Sequence, residues 1–180
     1  MEKEKRKSKG ILKEIKEWTI SLGIAVIAAL LFQNYVYAQS EVQNVSMQNT
    51  LIAGQRLIED KWSYRFHEPQ HGDIVIINGP ESELRLIKRV VGIPGDVIDI
   101  QNGEVYLNGV KIDEQYVKGR TFAGSVPVPF TVEEGQLFVM GDNREHSMDS
   151  RALGPIARSS IEGKAVLRIW PLPKFGALKE

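Results

Sequence analysis

Lys88 is the residue whose surroundings most directly suggest chemistry. It lies inside the apolar run Leu86–Val91, where a β-strand would place it on one face with Leu86 and Val90. An apolar environment disfavours the ammonium form and lowers the pKa of a lysine, so the neutral amine becomes available as a general base. The competing interpretation is structural, because a lysine on an edge strand also protects a sheet from aggregation. The run itself leaves both interpretations open.

A neutral lysine base needs a hydroxyl to activate, and two regions of the sequence offer one. Ser46 lies in the short segment Val45–Leu51, which is also typical of a plain turn. The second region, Gly141–Arg151, follows an apolar run and contains two serines, two arginines and three acidic residues. Its charged groups can orient catalytic side chains through charge-assisted hydrogen bonds, or they can form a solvated loop.

Other common catalytic groups are absent or badly placed. The chain contains no cysteine, which excludes thiol chemistry, disulfides and Cys-ligated metal sites. The segment His67-Glu68-Pro69-Gln70-His71 matches the H-E-x-x-H pattern of zinc proteases, but that pattern binds zinc only on a helix. Pro69 disfavours a helix there, so we predict a polar loop and no metal site. We assign His146, which has no partner at metal-binding spacing, to the surface.

Charge is distributed unevenly along the 180 residues. Lys+Arg and Asp+Glu both number 23, and this balance argues against a nucleic-acid binder that acts through bulk charge. Residues 1–17 carry a net charge of +3, residues 18–38 carry none, and residues 39–180 carry −3. As a helix, the uncharged segment would span about 31 Å, close to the thickness of the bilayer hydrocarbon. We therefore predict a basic cytoplasmic tail (1–17), a single transmembrane helix (18–38) and an extracytoplasmic domain (39–180) in the cell membrane.

Residues 18–38 have two other possible interpretations, a buried core helix and a cleaved signal peptide. A buried core helix is disfavoured, because a small domain cannot hide so many uncharged residues on all faces. A cleaved signal peptide competes more strongly, since Val36-Tyr37-Ala38 has the small-x-small pattern of a cleavage site. In both membrane-related interpretations the domain from residue 39 onwards is exported.

The exported part has the pattern of an all-β domain. Short β-branched runs alternate with glycines and prolines, and Asn102-Gly103 is a strong hairpin signal. We expect an exposed loop at Lys118–Thr131 and an irregular tail at Pro171–Glu180. The predicted fold class is mainly β, with a compact barrel-like or sandwich-like catalytic domain after the N-terminal helix. The predicted strands are Ile74–Ile77, Leu84–Ile93, Val97–Ile100, Glu104–Leu107, Gln136–Met140 and Lys164–Trp170.

The order of several short blocks carries a family resemblance. An N-terminal apolar segment precedes Ser46-Met47, then Gly72-Asp73, then Ile87-Lys88-Arg89, then Gly141-Asp142-Asn143-Arg144 with Asp149-Ser150-Arg151. In this order the chain resembles the bacterial type I signal peptidases (leader peptidases) in their short, single-anchor, Gram-positive-like form. The resemblance extends to about residue 170 and implies a β-rich, barrel-like peptidase domain.

The resemblance implies a role for each matching residue. Ser46 would be the nucleophile, Lys88 the general base, and Ser147 the hydroxyl that orients this lysine. The backbone N–H of Ser46 would be one donor of the oxyanion hole, a type of contact often worth about 10²–10³ in rate. Two ion pairs would brace the site: Arg89 with Asp142, and Asp149 with Arg151.

The chain departs from the family pattern at two positions beside Ser46. Asn49 stands where the family usually has proline, which predicts a softer loop rather than loss of chemistry. Asn44 stands where the family usually has serine or glycine. Its side-chain amide is expected either to be a second oxyanion donor or to leave the backbone donor to act with water.

The implied substrates are the signal peptides of exported preproteins, with small residues at positions −1 and −3 of the cleavage site. The implied partners are the lipid bilayer and the protein-export machinery, with no cofactor, metal or nucleic acid. A competing class is an inactive relative that binds exported chains without cutting them. An adhesin-like surface domain would not need a lysine inside an apolar strand. A self-cleaving repressor with Ser/Lys chemistry would need a DNA-binding domain that residues 1–38 cannot form.

Overall fold

The computed structural model describes residues 2–78 and 85–178, and for residues 2–13 and 31–35 it describes the backbone alone. The chain divides into two compact units between Tyr37 and Ala38.

The first unit is the helix α1, Glu2–Tyr35, whose side chains are exposed from residue 14 to residue 30. The helix therefore includes most of the segment predicted as a basic tail. The predicted end at residue 38 is wrong, because Tyr37 and Ala38 already belong to the strand β1, Tyr37–Glu41, which pairs with β2. None of the helices formed by the described residues combines the length and apolar character needed to cross a membrane.

The second unit contains a large antiparallel sheet with the strand order β1-β2-β11-β3-β4-β9-β10, and β12 pairs with β11 beside this path. Its helical segments are α2, Ser150–Leu153, and three short 3₁₀ turns at Ser63–Arg65, Arg158–Ser160 and Leu172–Lys174. The remaining strands of the sheet are β2 (Arg56–Asp60), β3 (Ile74–Asn78), β4 (Arg85–Gly92), β9 (Gln136–Met140), β10 (Ile156–Ala157), β11 (Ile161–Trp170) and β12 (Gly176–Ala177).

A smaller sheet has the strand order β7-β6-β5-β8. Its central hairpin turns at Asn102-Gly103, where both residues have positive φ (56° and 89°), as the Asn-Gly signal predicts. Asn108-Gly109 makes the next turn in the same way. The strands are β5 (Val97–Gln101), β6 (Glu104–Leu107), β7 (Val110–Lys111) and β8 (Phe130–Thr131).

The mainly-β prediction is confirmed. All six predicted strands are present within a few residues, although Leu84 lies outside the described residues and β11 begins earlier, at Ile161. Of the expected barrel-like or sandwich-like arrangement, a closed barrel is not formed, because both sheets end in edge strands within the described part of the chain. The tail is more regular than expected, since Gly176–Ala177 pairs with β11, and the loop Lys118–Thr131 ends in β8.

The strand β4 lies between two apolar clusters and positions the lysine. Its register with β3 places Lys88 opposite Val75, and Ile87 opposite Ile76 on the other face. β4 pairs with β3 along Arg85–Arg89, but with β9 only from Arg89 onwards. Within the described residues, the segment 85–88 therefore has one strand edge without a partner.

Candidate active site

The structure brings Ser46 and Lys88 into direct contact. The Lys88 Nζ lies 2.9 Å from the Ser46 Oγ and donates a hydrogen bond to it. Lys88 is 1% exposed and Ser46 is 5% exposed. A second hydrogen bond, from the Lys88 Nζ to the Ile87 carbonyl oxygen (3.2 Å), fixes the direction of the amine. A hydroxyl and a buried amine at this distance can exchange a proton directly.

Burial changes the protonation behaviour of the amine. It lowers the pKa of Lys88 to about 8, against the raising effects of the Asp149 and Asp142 charges. The positive charge of Arg151 adds to the lowering. A substantial fraction of Lys88 is therefore neutral at mildly alkaline pH, as a general base requires.

The loop that carries Ser46 is held by Asn143. The Asn143 N–H donates to the Ser46 carbonyl oxygen (2.9 Å), and its Nδ2 donates to the Val45 carbonyl oxygen (3.1 Å). On the other side of the serine, Met47 and Leu51 are buried in an apolar cluster of the large sheet. Ser46 thus lies between one polar and one apolar attachment, which fix its backbone.

The predicted pair Arg89–Asp142 is present and almost fully buried. The Arg89 Nε donates to the Asp142 Oδ1 (2.9 Å) and the Nη2 donates to the Asp142 Oδ2 (2.8 Å), so the contact is bidentate. Thr50 also donates to Asp142, and the ring of Tyr116 lies over the Arg89 guanidinium at 3.9 Å. This arrangement joins β4 to the loop that begins at Gly141.

The predicted pair Asp149–Arg151 is also present. The Arg151 Nε and Nη2 each donate to the Asp149 carboxylate at 2.8 Å, and the Gly141 N–H donates to the same carboxylate at 2.9 Å. Burial alone would raise the pKa of Asp149, but these hydrogen bonds and the Arg151 charge lower it below its usual value. The carboxylate therefore stays ionised, and its hydrogen bonds connect the two ends of the loop, Gly141 and Arg151.

Ser147 lies next to the nucleophile but not in its expected contact. The Lys88 Nζ donates to Ser46 and to Ile87, whereas the buried Ser147 hydroxyl faces the Asp149 carboxylate and helps to lower the pKa of Asp149. A Cβ added at Gly141 would meet the Ser147 Oγ at 2.3 Å and the Ser46 carbonyl oxygen at 2.4 Å. The serine is thus packed against Gly141, and the expected hydrogen bond to Lys88 is not present in this arrangement.

Asn44 also differs from expectation. Its Oδ1 accepts the Ser46 Oγ–H (2.8 Å) and the Ser46 backbone N–H (3.2 Å). The Asn44 side chain, expected to donate to the oxyanion, therefore accepts from Ser46 instead. It also binds the Ser46 backbone N–H, which was expected to be the first oxyanion donor. Asn44 itself is exposed, so its side chain has room to move.

Several residues that position the site were missed from the sequence. Asn143 and Arg144 lie in a block that carries the family resemblance, but their residue types alone do not indicate what they bind, and Thr50 follows Ser46 by four residues. Nothing in the sequence indicates a role for Tyr116, because its contact with Arg89 depends on how the segment after β7 folds back. Arg144 binds this segment through Glu114 and Thr121.

The His67–His71 segment forms turns and irregular chain rather than a helix. The His71 Nε2 lies 2.6 Å from the Asp96 Oδ2 and not beside His67. Among the described residues, no cluster of acidic and histidine side chains has the composition of a metal site.

Comparison with known proteins identifies the family of this chain. The family model described as "Signal peptidase, peptidase S26" matches residues 15–170. The chain belongs to this signal peptidase family. The match covers both Ser46 and Lys88 and both ion pairs beside them.

Three relatives illustrate the similarity within the signal peptidase family. Signal peptidase I of Bacillus licheniformis is 38% identical over 164 residues, which cover 86% of this chain and 88% of the relative. Signal peptidase I T of Bacillus subtilis (strain 168) is 38% identical over 172 residues, covering 91% and 89%. A probable signal peptidase I-2 of Synechocystis sp. is 37% identical over 163 residues, covering 87% and 73%.

A crystal structure of a signal peptidase I from Enterococcus faecalis V583 is 32% identical to this chain. It covers 54% of this chain and 97% of its own, with a TM-score of 0.47.

Gly141→Ala is expected to damage the active site of this signal peptidase. The new methyl group would overlap the Ser46 carbonyl oxygen, so the nucleophile's backbone must shift. A displacement of about 1 Å can reduce peptidase turnover by about 10²-fold. The measurement is the initial rate of peptide-bond cleavage together with the thermal unfolding midpoint. Gly176→Ala is the control, because its Cβ would meet no atom within 4 Å. Equal activity of the two variants would contradict the prediction.

Proposed function

We propose that this chain is a membrane-anchored serine endopeptidase that removes signal peptides from exported preproteins. The observation that carries the proposal is the 2.9 Å contact between the Ser46 Oγ and the buried Lys88 Nζ. Membership of the signal peptidase family supports the substrate class.

In the proposed reaction, neutral Lys88 accepts the hydroxyl proton of Ser46 while the Oγ attacks the scissile carbonyl carbon. The tetrahedral intermediate collapses to an acyl-enzyme, and the Lys88 Nζ returns the proton to the leaving amine. A water molecule then gives a proton to Lys88 and attacks the ester. The signal peptide leaves with a free carboxyl group, and the proton returns to the Ser46 Oγ.

The oxyanion of this intermediate would be bound by the Ser46 N–H. In the structure this N–H donates to the Asn44 Oδ1, and the Ser46 hydroxyl donates to the same oxygen. The substrate carbonyl must therefore replace the Asn44 oxygen before both groups of Ser46 can act. Rotation of the exposed Asn44 amide would then bring its Nδ2 to the developing charge as a second donor.

The substrate would bind as an added strand. The segment 85–88 of β4 has a free backbone edge within the described residues, and β1 is an edge strand of the same sheet. Signal peptides are extended near the cleavage site in this proposal, and backbone hydrogen bonds along β4 would lead the scissile bond to Ser46.

Anchoring is proposed from the sequence of α1. Its residues 18–35 carry no charge, and the preceding 17 residues have a net charge of +3, which favours a cytoplasmic N-terminus and an extracytoplasmic domain. An anchor would confine the enzyme to the same plane as its membrane-bound substrates and the export machinery, and so raise their effective concentration.

One observation favours the second candidate, an inactive relative that binds exported chains. The Ser46 hydroxyl hydrogen points to Asn44 rather than to Lys88 in the structure. If Asn44 keeps this position when substrate binds, Lys88 cannot accept the proton.

Ser46→Ala and Lys88→Ala test the proposed function directly. The wild-type chain is expected to cleave a preprotein with an Ala-x-Ala site in detergent, and each variant is expected to lose at least about 10³-fold in rate, because each removes one partner of the proton transfer. Cleavage is followed by gel mobility and by mass determination of the products. Lys164→Ala, a lysine outside the site, is the control. A wild-type chain that cuts none of several such preproteins would favour the inactive relative.

The pH profile tests the role of Lys88. Because the neutral amine is the active form, kcat/KM should rise about tenfold per pH unit below pH 8 and level off above it. Arg151→Met removes a charge that lowers the pKa of Lys88, so the rising limb should move to higher pH. Arg158→Met, at a surface ion pair with Glu68, is the control and should leave the limb unchanged. A rising limb at the same pH in wild type and Arg151→Met would argue against Lys88 as the base.

Asn44→Asp tests the proposed role of Asn44 as a donor to the oxyanion. The carboxylate keeps the acceptor contacts to Ser46, cannot donate, and repels the oxyanion, so kcat should fall by about 10²–10³-fold. Asn44→Gly should keep much more activity, since it frees the Ser46 N–H. Asn49→Asp adds the same charge at an exposed position nearby and is the matched control. The kinetic constants kcat and KM are measured for all three. Equal kcat values for Asn44→Asp and Asn49→Asp would contradict the proposed role.

A further inference from the structure

The chain between β7 and β8 lies along the loop that contains both ion pairs. We call residues 113–126 of this chain the bracing segment, because its backbone is hydrogen-bonded to that loop at both ends. The Lys118 N–H donates to the Asp142 carbonyl oxygen (2.8 Å), and the Ser125 N–H donates to the Arg151 carbonyl oxygen (2.8 Å). The bracing segment is therefore attached beside a residue of each ion pair.

The side chain of Arg144 attaches the same segment a second time. Its Nη1 and Nη2 donate to the two carboxylate oxygens of Glu114 (3.0 and 2.5 Å), and its Nη1 also donates to the Thr121 hydroxyl (2.9 Å). Its Nε donates to the Gly141 carbonyl oxygen (3.1 Å). Arg144 is only 2% exposed, so this bidentate ion pair is shielded from water and fixes the position of Glu114.

Tyr116 connects the Glu114 carboxylate to Arg89. Its hydroxyl donates to the Glu114 Oε1 (3.0 Å), and its ring centroid lies 3.9 Å from the Arg89 Cζ. Burial and the Glu114 charge raise the pKa of Tyr116 above its usual value, so the phenol stays neutral and keeps its donor. A guanidinium above an aromatic face is attracted by the ring quadrupole, most strongly where water is excluded.

The ring contact restrains Arg89 in a direction that its hydrogen bonds do not. The Nε and Nη2 bind Asp142, and the Nη1 donates to the Gly72 carbonyl oxygen (2.8 Å). All of these bonds lie close to the plane of the guanidinium, because its N–H groups point outwards in that plane. The Tyr116 ring instead packs on the face of the guanidinium and opposes its movement out of the plane.

The position of Arg89 affects the neighbouring residue in β4, Lys88. Against the lowering effect of burial, the Asp149 and Asp142 charges raise the pKa of Lys88. Arg89 offsets the charge of Asp142 through its bidentate contact. If Arg89 moved away, the Asp142 carboxylate would stabilise the Lys88 ammonium ion more strongly, and less of the neutral amine would be present.

We infer that Tyr116 is a positioning residue for the reaction: its ring, held by Glu114, keeps Arg89 on Asp142 and so limits the action of the Asp142 charge on Lys88. The inference rests on the proposed function, because it concerns the proton transfer of that reaction. Tyr116 acts through Arg89 and Asp142 and supplies no group to the reacting atoms. The bracing segment thereby takes part in catalysis at a distance.

The experiment uses the full chain in detergent and a preprotein with an Ala-x-Ala site. Tyr116→Leu removes the ring, whereas Tyr116→Phe keeps the ring and removes only the hydroxyl. In Tyr116→Leu the rising limb of kcat/KM should move to higher pH by about half a pH unit or more, which lowers kcat/KM at pH 7 by at least about threefold. In Tyr116→Phe the limb should stay near its wild-type pH. Tyr106→Leu removes a half-buried ring from β6 of the smaller sheet and is the matched control.

The pH of the limb separates positioning from a general loss of folded protein, which would lower kcat/KM equally at every pH. A limb of Tyr116→Leu at the wild-type pH would overturn the inference and leave the proposed function intact. An equal displacement of the limb in Tyr106→Leu would overturn it as well. A wild-type chain that cleaves no such preprotein would overturn both the inference and the proposed function.

Fluorinated phenylalanines at position 116 test the ring contact without depending on how the leucine variant folds. Fluorine withdraws electron density from the face of the ring and changes its size little, and Tyr116→Phe is the matched reference. From phenylalanine through difluoro- to trifluorophenylalanine, kcat/KM at pH 7 should fall progressively, by about threefold over the series. A constant kcat/KM across the series would overturn the role given to the ring.

Discussion

The burial of one lysine amine against one serine hydroxyl is the constraint on which the rest of this structure depends. A lysine can act as a base near neutral pH only if its surroundings disfavour the ammonium ion, and desolvation does this most effectively. Desolvation requires apolar packing on both faces of β4, which the clusters around Ile76 and Val90 provide. Packing of this kind is destabilising for the charge it encloses, so the function of the site and the stability of the domain oppose each other at Lys88.

The two ion pairs beside Ser46 and Lys88 limit how far burial lowers the pKa of Lys88. Asp149 and Asp142 favour the charged form of Lys88, while Arg151 and burial disfavour it. Because each carboxylate is bound by its own arginine, neither acts on the lysine with its full charge. The pairs also fix geometry: Arg89–Asp142 joins β4 to the loop after β9, and Asp149 holds Gly141 at the point where a side chain would push Ser46 away. The same residues therefore influence both the pKa of Lys88 and the position of Ser46.

Much of the fold and of the candidate site could be predicted from the sequence, for physical reasons that differ between elements. The hairpin at Asn102-Gly103 is local, because its two residues determine their own backbone angles. Lys88 was recognisable because a charged residue among aliphatic neighbours conflicts with the pattern around it. The choice of Ser46 and the pairing of Asp149 with Arg151 came from the order of blocks rather than from spacing. The end of α1 was misplaced because β1 is an edge strand whose pairing with β2, about twenty residues away, outweighs local preference. Nothing in the sequence indicated the contact of Tyr116 with Arg89 or the hydrogen bonds that join Ser40, Glu59 and Arg85, since these residues come from separate segments.

The packing of β4 changes along its length. Lys88 is almost fully buried and is followed by Arg89, where the pairing with β9 begins. Arg85, three residues earlier, is 36% exposed, borders a cavity and has a free strand edge within the described residues. The strand therefore encloses the amine whose pKa is lowered, while its other end stays accessible. Asn44 follows Gln43, which lines this cavity, and its side chain accepts hydrogen bonds from Ser46. A peptide carbonyl that reached the Ser46 N–H would have to displace the Asn44 oxygen, so the release of Ser46 would be coupled to the arrival of a bound peptide.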